Sequence, residues 1–398
     1  METVKQEHIV RNGQSSFWQQ WKATLDVRSY TMIFALIAIW VLFSLMSDSF
    51  LTARNLSNLF VQMSVTAVLA VGMVLVIVAG HIDLSVGSIV GLTGGIAAIL
   101  QVWAKWPTPA VIVVTILVGV LIGLFQGWWV AYRAVPAFIV TLGGMMAFRG
   151  ILTGITKGQT VAPLQDSFRL IGQSYLPQAV GWGLGMLAAA GLLYGVWNAR
   201  RSRMAYGLEV GSPLAEWGKA LFFTALTFLF IALMNSYKGV PFPILLVALL
   251  AVMFSFLANR TTFGRHIYAI GGNSEAARLS GIPIRRRTLA VFVLSATMAA
   301  IAGVMQVARL NAATISSGTM YELDAIAACV IGGTSLMGGR GKISGAIIGA
   351  LVMASLDNGM SIMNVESFWQ QITKGAILLL AVWIDIYSQN RKKHTVTA

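Results

Sequence analysis

SNLFVQMSVTAVLAVGMVLVIVAG occupies residues 57–80 and contains no charged side chain. A helix needs about 20 mostly apolar residues to cross the hydrocarbon core of a bilayer, so this stretch is long enough to form a membrane span. Eleven other runs in the chain are similarly apolar. The twelve candidate spans are residues 30–46, 57–80, 84–101, 109–131, 136–155, 180–197, 218–235, 241–258, 288–308, 322–337, 343–357 and 369–387.

The composition of the whole chain agrees with a polytopic membrane protein. Of 398 residues, 57% are hydrophobic and only 11% are charged, whereas soluble domains carry about 25% charged residues. This excludes a soluble enzyme and a disordered chain. The net charge of +14 is better explained by Lys and Arg in cytoplasmic loops than by a nucleic-acid partner. The single cysteine, Cys329, lies in an apolar run and is predicted to be a small buried hydrophobic residue.

The loop charges predict the topology. If all twelve runs cross, the side that holds both termini has 19 Lys and Arg, and the other side has 6. The positive-inside rule then places both tails, residues 1–29 and 389–398, in the cytoplasm. Ten spans remain possible, because 322–337 and 343–357 are short and glycine-rich and could be re-entrant. The prediction is an all-α transmembrane bundle over residues 30–388.

Two stretches of the chain suggest an internal repeat. Asp83, Gly91 and Thr93 recur as Asp324, Gly332 and Thr334 at a constant offset of 241 residues. Two related halves are a common plan in transporters, with the translocation path between them. The alternative is that Asp83 and Asp324 only cap helix N-termini. In either case we expect both acids to be N-caps.

The largest basic loop, residues 259–287, contains six arginines and encodes a short helix. Asn273 or Ser274 is a good N-cap, residues 275–279 favour helix, and Gly281 and Pro283 end it. Such a loop could serve only as an anchor to anionic lipid. A short, capped, exposed helix is more than an anchor needs, so we favour a docking element for a partner protein.

This loop and three other segments resemble one family of transporters. Glu275, Ala276, Ala277 and Arg278, followed by Gly281, resemble the EAA-x3-G coupling loop of ATP-binding-cassette importer permeases. VAGHIDLSVGS (78–88), VPAFIVTLGGMMAFRGI (135–151), FGRHIYAIGGNSEAARLSGI (263–282) and ELDAIAACVIGGTSLMGGRG (322–341) are similar to the sugar permeases of the ribose, galactose, arabinose and xylose systems. The resemblance covers nearly the whole chain.

The resemblance implies a non-enzymatic transport subunit without a cofactor, located as a multi-pass protein in the bacterial inner membrane. Its implied partners are a cytoplasmic ATPase that contacts the loop, a periplasmic sugar-binding protein, a monosaccharide and a second copy of the chain. It also implies a first half at 30–155, an inserted helix pair at 180–235 and a second half at 241–388. A phosphate-binding G-x-x-x-x-G-K-[ST] motif is lacking in the sequence: Gly338-Gly339-Arg340-Gly341-Lys342 is followed by Ile343.

A path for a sugar must offer hydrogen bonds, because each unpaired hydroxyl costs several kcal/mol in hydrocarbon. The candidate path residues are Asp83, Gln126, Thr141, Asn311, Thr334, Ser355 and Asn358. Each of them could instead join helices. Asp83, Arg149, Asp324 and Asp357 are ionisable groups near or within spans, so we expect them to lie near an interface, to pair, or to face a cavity. They also leave a second hypothesis open: a proton-coupled sugar transporter that uses Asp83 or Asp357 as the proton carrier.

Overall fold

The structure, a computed structural model, describes residues 27–208 and 210–396. Of the predicted tail 1–29, only the last three residues are among the described ones. Residues 389–396 of the predicted tail 389–398 continue the last helix. The described part is all helical, with two isolated β-bridges and no strand. The helices are α1 (Val27–Met46), α2 (Ala53–Val78), α3 (Val86–Val102), α4 (Thr108–Ala131), α5 (Ala137–Thr156), α6 (Asp166–Gln173), α7 (Gln178–Ala205), α8 (Pro213–Asn235), α9 (Phe242–Arg260), α10 (Thr262–Gly272), α11 (Ser274–Leu279), α12 (Ile284–Leu310), α13 (Tyr321–Ile331), α14 (Ile343–Ile362) and α15 (Ser367–Val396).

Each of the twelve apolar runs contains a helix, but not every one of these helices has the length and composition of a membrane span. Within the described residues, eight helices are long and apolar enough to cross a membrane, namely α2, α4, α5, α7, α8, α9, α12 and α14. The run 322–337 departs most clearly from the predicted span. Its helix ends at Ile331, and the chain then turns through Gly333 at a φ of +85°. Twelve crossings and cytoplasmic termini therefore stay predictions.

Helix α12 forms the centre of the bundle and packs against α2, α3 and α4. Gly123 on α4 shows why the helices come so close: a Cβ at this position would overlap the backbone of Phe292 and Val293 on α12. Close backbone approach of this kind is how helices associate where the hydrophobic effect does not drive them together. By contrast, α7 and α8 pack chiefly on one another, and only 17% of each apolar stretch is buried, against 89% for α2.

Helix α3 begins in the middle of the bundle and not at one of its ends. We call the end that carries residues 261–283 the loop side, and the opposite end the far side. α2 ends on the loop side, where Val78 accepts a hydrogen bond from the Gly339 N–H. The chain then turns back, and Asp83 meets Ser295, the twelfth residue of the 27-residue helix α12. From there α3 runs to the far side, since Gly94 lies against Gly303 and Val307.

Helix α13 has the same design in the opposite direction. α12 ends on the far side at Leu310, yet Gly318 and Glu322 already contact Gly87 in the first turn of α3. Residues 311–320 thus re-enter the bundle to mid-depth, and α13 runs from there to the loop side, where Gly332 packs on Gly345 of α14. Broken helices of this kind occur at membrane depth only where protein or a cavity surrounds the exposed backbone.

The expectation that Asp83 and Asp324 are N-caps is wrong. The N-cap of α3 is Ser85, and Asp83 precedes it by two residues. The N-cap of α13 is Met320 in a left-handed conformation, so Asp324 lies inside the first helical turn. The 241-residue offset consequently pairs residues in different structural positions, although both short helices do start at mid-depth.

Candidate coupling and translocation site

The predicted helix in the basic loop is present as α11. Its N-cap is Asn273, whose side-chain Oδ1 accepts a hydrogen bond from the Ala276 N–H at 2.9 Å. Gly281 ends the segment with a φ of +77°, a backbone conformation that residues other than glycine rarely adopt. The sequence therefore identified both ends of this helix, because caps depend on residues close in the chain.

One side of α11 rests on the protein, and the rest is exposed. Ala277 is buried, whereas Glu275, Ala276, Arg278 and Leu279 are exposed. The Leu279 side chain is 76% exposed, which leaves an apolar group unpaired in a polar loop. Arg278 Nε donates to Glu275 Oε2 at 3.1 Å, and this hydrogen bond lowers the pKa of the Glu275 carboxyl below its usual value. The carboxylate therefore stays ionised, and the pair presents opposite charges side by side.

The preceding helix, α10, is held firmly against the bundle. Tyr268 Oη donates to the Gly341 carbonyl at 2.7 Å, and Gly271 lies directly against the backbone of Val78 and Gly339. A motion of α11 would therefore be passed through α10 to α2 and to the segment after α13. This connection is a mechanical requirement for a coupling element.

A cleft of about 490 Å³ opens beside the base of α11. The turn after α2, the end of α4, residues 270–274 and the start of α12 surround it, and His81, Asn273, Arg285 and Thr288 supply its polar groups. The cleft separates the loop from the bundle core on one side, so α11 is supported mainly through α10.

Asp83 and Gln126, two of the predicted path residues, belong to one buried network. Asp83 Oδ1 accepts hydrogen bonds from the Ser85 N–H at 2.9 Å and from the Ser85 hydroxyl at 2.6 Å. Ser295 donates to Asp83 Oδ2 at 3.3 Å, and Gln126 Nε2 donates to the Ser85 hydroxyl at 2.9 Å. The network connects the start of α3 to α4 and α12. Asp83 is fully buried, so no open surface reaches it in this conformation.

The other predicted path residues also make contacts inside the chain. Ser355 accepts a hydrogen bond from Trp40 Nε1 at 2.9 Å, and Asn311 Oδ1 accepts one from the Leu164 N–H at 2.9 Å. Thr141 donates to its own helix at the Ala137 carbonyl, and Thr334 is buried. Of these contacts, only the one between Ser355 on α14 and Trp40 on α1 joins two helices, and a role of these residues along a path stays a prediction.

Asn358 on α14 and Asn55 on α2 exchange two hydrogen bonds, at 2.8 and 3.0 Å. Replacing Asn358 with Leu leaves Asn55 Oδ1 without its donor, although Asn55 Nδ2 keeps the Phe50 carbonyl at 2.8 Å, and we expect a cost of about 1–3 kcal/mol of stability. Asn55→Leu/Asn358→Leu removes both amides and should lose less than the sum of the two single changes. Thermal unfolding in detergent of Asn55→Leu, Asn358→Leu and the double variant measures this, and additive losses in the double variant would contradict pairing.

Three of the ionisable groups at apolar positions form ion pairs with one another, one of the outcomes expected from their cost. Lys374 Nζ on α15 lies 3.1 Å from Asp324 on α13 and 2.8 Å from Asp357 on α14. Arg149 on α5 donates to the Thr319 hydroxyl at 2.7 Å. Asp324, Asp357 and Arg149 were expected at such positions from the sequence, but Lys374 was not. The sequence feature that could have identified Lys374 is its position as the single lysine in the apolar run 369–387.

This arrangement defines a class of protein. A bundle of apolar helices with two broken helices meeting at mid-depth, and a capped helix displayed on a rigid support at one end, is the architecture of a polytopic transport protein. The comparisons with known proteins are more specific. The chain belongs to the family described as "Branched-chain amino acid transport system / permease component", whose model matches residues 55–382.

Relatives in this family resemble the chain over almost its full length. The xylose transport system permease protein XylH of Escherichia coli (strain K12) is 53% identical over 369 residues, 92% of this chain and 94% of the relative. XylH of Haemophilus influenzae is 50% identical over 372 residues, 93% and 98% of the two chains. The ribose import permease protein RbsC of E. coli (strain K12) is 35% identical over 374 residues, 94% and 97%. No solved structure matches the chain significantly.

Proposed function

We propose that this chain is the membrane-spanning permease subunit of an ATP-binding-cassette importer for D-xylose in the bacterial inner membrane. Its membership of a permease family supports the class. Two relatives that are 50% or more identical over most of the chain are named as xylose permeases, and the ribose permease is more distant. A periplasmic sugar-binding protein delivers the sugar, and a separate cytoplasmic subunit hydrolyses ATP.

The single observation that carries the mechanism is the exposed helix α11 on its buried support. Closure of the ATPase subunit displaces the surface formed by Glu275, Ala276, Arg278, Leu279 and Gly281. Tyr268 and Gly271 pass that displacement to the bundle, because they contact segments that continue into α2 and α14. Energy from ATP thus reaches the transmembrane helices through a short rigid connection.

The proposed topology has twelve passes, of which α3 and α13 are broken crossings. Each of them completes its pass with non-helical chain, at residues 79–85 and 311–320. Their N-termini meet at mid-depth, which is where transporters built from broken helices place substrate groups. Two copies of the chain then form one transporter, with both tails in the cytoplasm.

The proton-coupled alternative is less well supported. Its carrier would have to exchange protons with water on both sides of the membrane. Asp83 is fully buried and accepts three hydrogen bonds, and Asp357 forms an ion pair with Lys374. Both acids thus have structural partners in this conformation.

Reconstitution in vesicles tests the function. The proposal expects uptake of radiolabelled xylose to need ATP at the cytoplasmic face, the ATPase subunit, and the sugar-binding protein at the other face. Uptake by this chain alone, driven by a pH gradient, would instead establish the alternative. Uptake of ribose in preference to xylose under the same conditions would contradict the assigned sugar.

Leu279→Glu tests the docking surface, since it places a charge on the exposed apolar position of α11. We expect ATP-dependent uptake to fall by about tenfold or more, because loss of an apolar anchor in an interface costs more than about 1.4 kcal/mol. Thermal stability should stay unchanged, as the side chain is 76% exposed.

The matched control is Leu208→Glu. Leu208 is 60% exposed and follows α7 in the loop before α8. The chain enters α7 from the far side, where Gly172 lies against Arg309, and the 28 residues of α7 lead back toward the loop side. Leu208→Glu should leave uptake and binding of the ATPase subunit at the parental level. Equal loss in both variants, or normal uptake in Leu279→Glu, would show that α11 is not the docking surface.

A further inference from the structure

A small set of polar side chains at membrane depth is not covered by the chain itself. α5 spans Ala137–Thr156, and Arg149 is its thirteenth residue, so it lies about 18 Å along a helix about 30 Å long. Arg149 is half-buried, and Thr153, one turn further on, is exposed. Across from them, Ser316 and Thr319 are exposed on the re-entrant segment. We call Arg149, Thr153, Ser316 and Thr319 the mid-depth polar patch.

The depth of the patch follows from contacts with α3. Leu152 on α5 packs against Gly91 and Gly95, and the Ser317 carbonyl lies against Gly91. Both parts of the patch are therefore level with the first half of α3, which begins beside the middle of α12. The patch lies between the two ends of the bundle and not at an outer loop.

The patch is ordered by its own hydrogen bonds. Arg149 donates to the Thr319 hydroxyl at 2.7 Å, and that hydroxyl donates to the Ser316 carbonyl at 2.8 Å. The Thr153 hydroxyl donates to the Arg149 carbonyl at 3.0 Å. Arg149 has more N–H donors than this one contact uses, and they are fixed in a planar fork. The arrangement holds donors in place for a further oxygen ligand.

A buried carboxylate at the same level has an unused acceptor. Glu322 is only 7% exposed, and its Oε2 has no hydrogen-bond partner among the described residues. It lies three residues after Thr319, and its Oε2 faces Gly87 at the start of α3. This acceptor is enclosed by the chain in this conformation, so the exposed members of the patch are the groups that a sugar can reach.

Hydrocarbon cannot be the neighbour of this patch. An arginine at the centre of a bilayer costs about 2.5–3.5 kcal/mol even on the most permissive scale, and hydroxyls beside it add to that cost. Phe138, Leu142 and Met146 precede Arg149 at successive spacings of four, four and three residues, so they form an exposed apolar stripe that leads up to it. Ile151 is exposed on the opposite side of α5. The polar end of the stripe needs a polar neighbour, which is water, a sugar or polar groups of a second copy of the chain.

We infer that Arg149, Thr153, Ser316 and Thr319 line the sugar path at mid-depth, with Arg149 donating hydrogen bonds to hydroxyls of the passing sugar. This inference rests on the proposed function and specifies its substrate contacts. It differs from the path predicted from sequence, whose members are buried or hydrogen-bonded inside the chain. It also gives the re-entrant segment a purpose, since residues 311–320 carry two of the four side chains.

Thr319→Cys and Thr153→Cys test the inference in the reconstituted complex. The native Cys329 is fully buried, so the parent should not react with a charged, membrane-impermeant thiol reagent. Both variants should react, xylose with the sugar-binding protein should slow the reaction, and modification should lower uptake by about tenfold or more, because a bulky charge obstructs a narrow polar path. ATP hydrolysis stimulated by the sugar-binding protein should persist.

Ile151→Cys is the matched control. Ile151 is two residues from Arg149 on the same helix and is 48% exposed, so it shares the depth but lies on the lipid-facing surface. It should not react with the charged reagent. Reaction at Ile151 equal to that at Thr319, no reaction at Thr319, or full uptake after modification would each overturn the inference.

Two further outcomes separate the inference from the proposed function. A disulfide that joins position 319 of two copies of the Thr319→Cys variant, in vesicles not treated with the reagent, would identify a contact between protomers and overturn the path. Failure of the parent complex to take up xylose with ATP would be a failure of the proposed function. Arg149→Lys provides a second readout: it keeps the charge but loses the fork, and it should raise the sugar concentration for half-maximal uptake more than it lowers the maximal rate.

Discussion

Lys374→Met is expected to cause the largest loss of stability in this protein, about 3–5 kcal/mol, the cost of removing one partner of a buried ion pair. Lys374 is the cation between two carboxylates, and the Asp324 side chain is only 4% exposed. Without the ammonium group, both acids would remain at apolar depth without a counter-charge.

The structural consequence of that change goes beyond one contact. Helix α15 packs mainly against α13, and α13 begins at mid-depth, where a shift would move the re-entrant segment. Lys374 therefore connects the last helix to the broken helix. We expect the variant to have a lower midpoint of thermal unfolding in detergent, and to lose uptake in proportion to the folded fraction.

Two further variants make the test specific. Lys219→Met replaces a lysine that is exposed on α8, and it should change stability little. Asp324→Asn/Asp357→Asn/Lys374→Met removes all three charges and should recover a substantial part of the loss, since neutral groups cost less to bury. A stable Lys374→Met protein, or no recovery in the triple variant, would show that the ion pairs do not hold α15.

Gly271→Ala is the second change with a large expected effect. A Cβ at this position would overlap the Val78 carbonyl and approach the Gly339 N–H, two backbone groups that already bond to each other at 2.9 Å. Backbone atoms cannot rotate away, so α10 must move from α2. Overpacking of this kind costs about 1–3 kcal/mol, and here it also displaces the support of α11.

Gly272→Ala is the control, because no atom lies within 4 Å of a Cβ at that position. We expect Gly271→Ala to assemble poorly with the ATPase subunit and to hydrolyse ATP without uptake, while Gly272→Ala behaves like the parent. Comparing uptake per ATP hydrolysed in the two variants measures this. Equal coupling in both would mean that α11 does not act through the contact of Gly271 with α2.

The elements that depend on neighbouring residues were predicted well. Apolar runs such as 57–80 form helices, and the caps at Asn273 and Gly281 end α11 as expected. The wrong predictions concern segments whose depth in the bundle cannot be derived from their length and composition. Asp83 and Asp324 occupy similar positions in sequence, yet one precedes its helix and the other lies inside it.

The polar site shows the same limit. Polar groups at apolar depth were recognised in the sequence at Asp83, Gln126, Ser355 and Asn358. Their partners were not, because they are distant in sequence: the partner of Gln126 is 41 residues away, and that of Ser355 is 315 residues away. Whether such a group joins helices or faces a path depends on the direction of its side chain. The exposed patch on α5 and residues 316–319 could not be distinguished from these residues by pattern.

The order of hydrophobic runs and basic loops thus determines that this chain is a membrane protein and where its helices begin, because water and lipid act on each segment separately. The sequence also encodes the exposed helix at 274–279, since its caps are local. The mid-depth starts of α3 and α13, the pairing of Lys374 with two acids, and the uncovered position of Arg149 arise only when distant helices pack. A residue's depth and partners are properties of that packing, and close contacts between glycine backbones decide it.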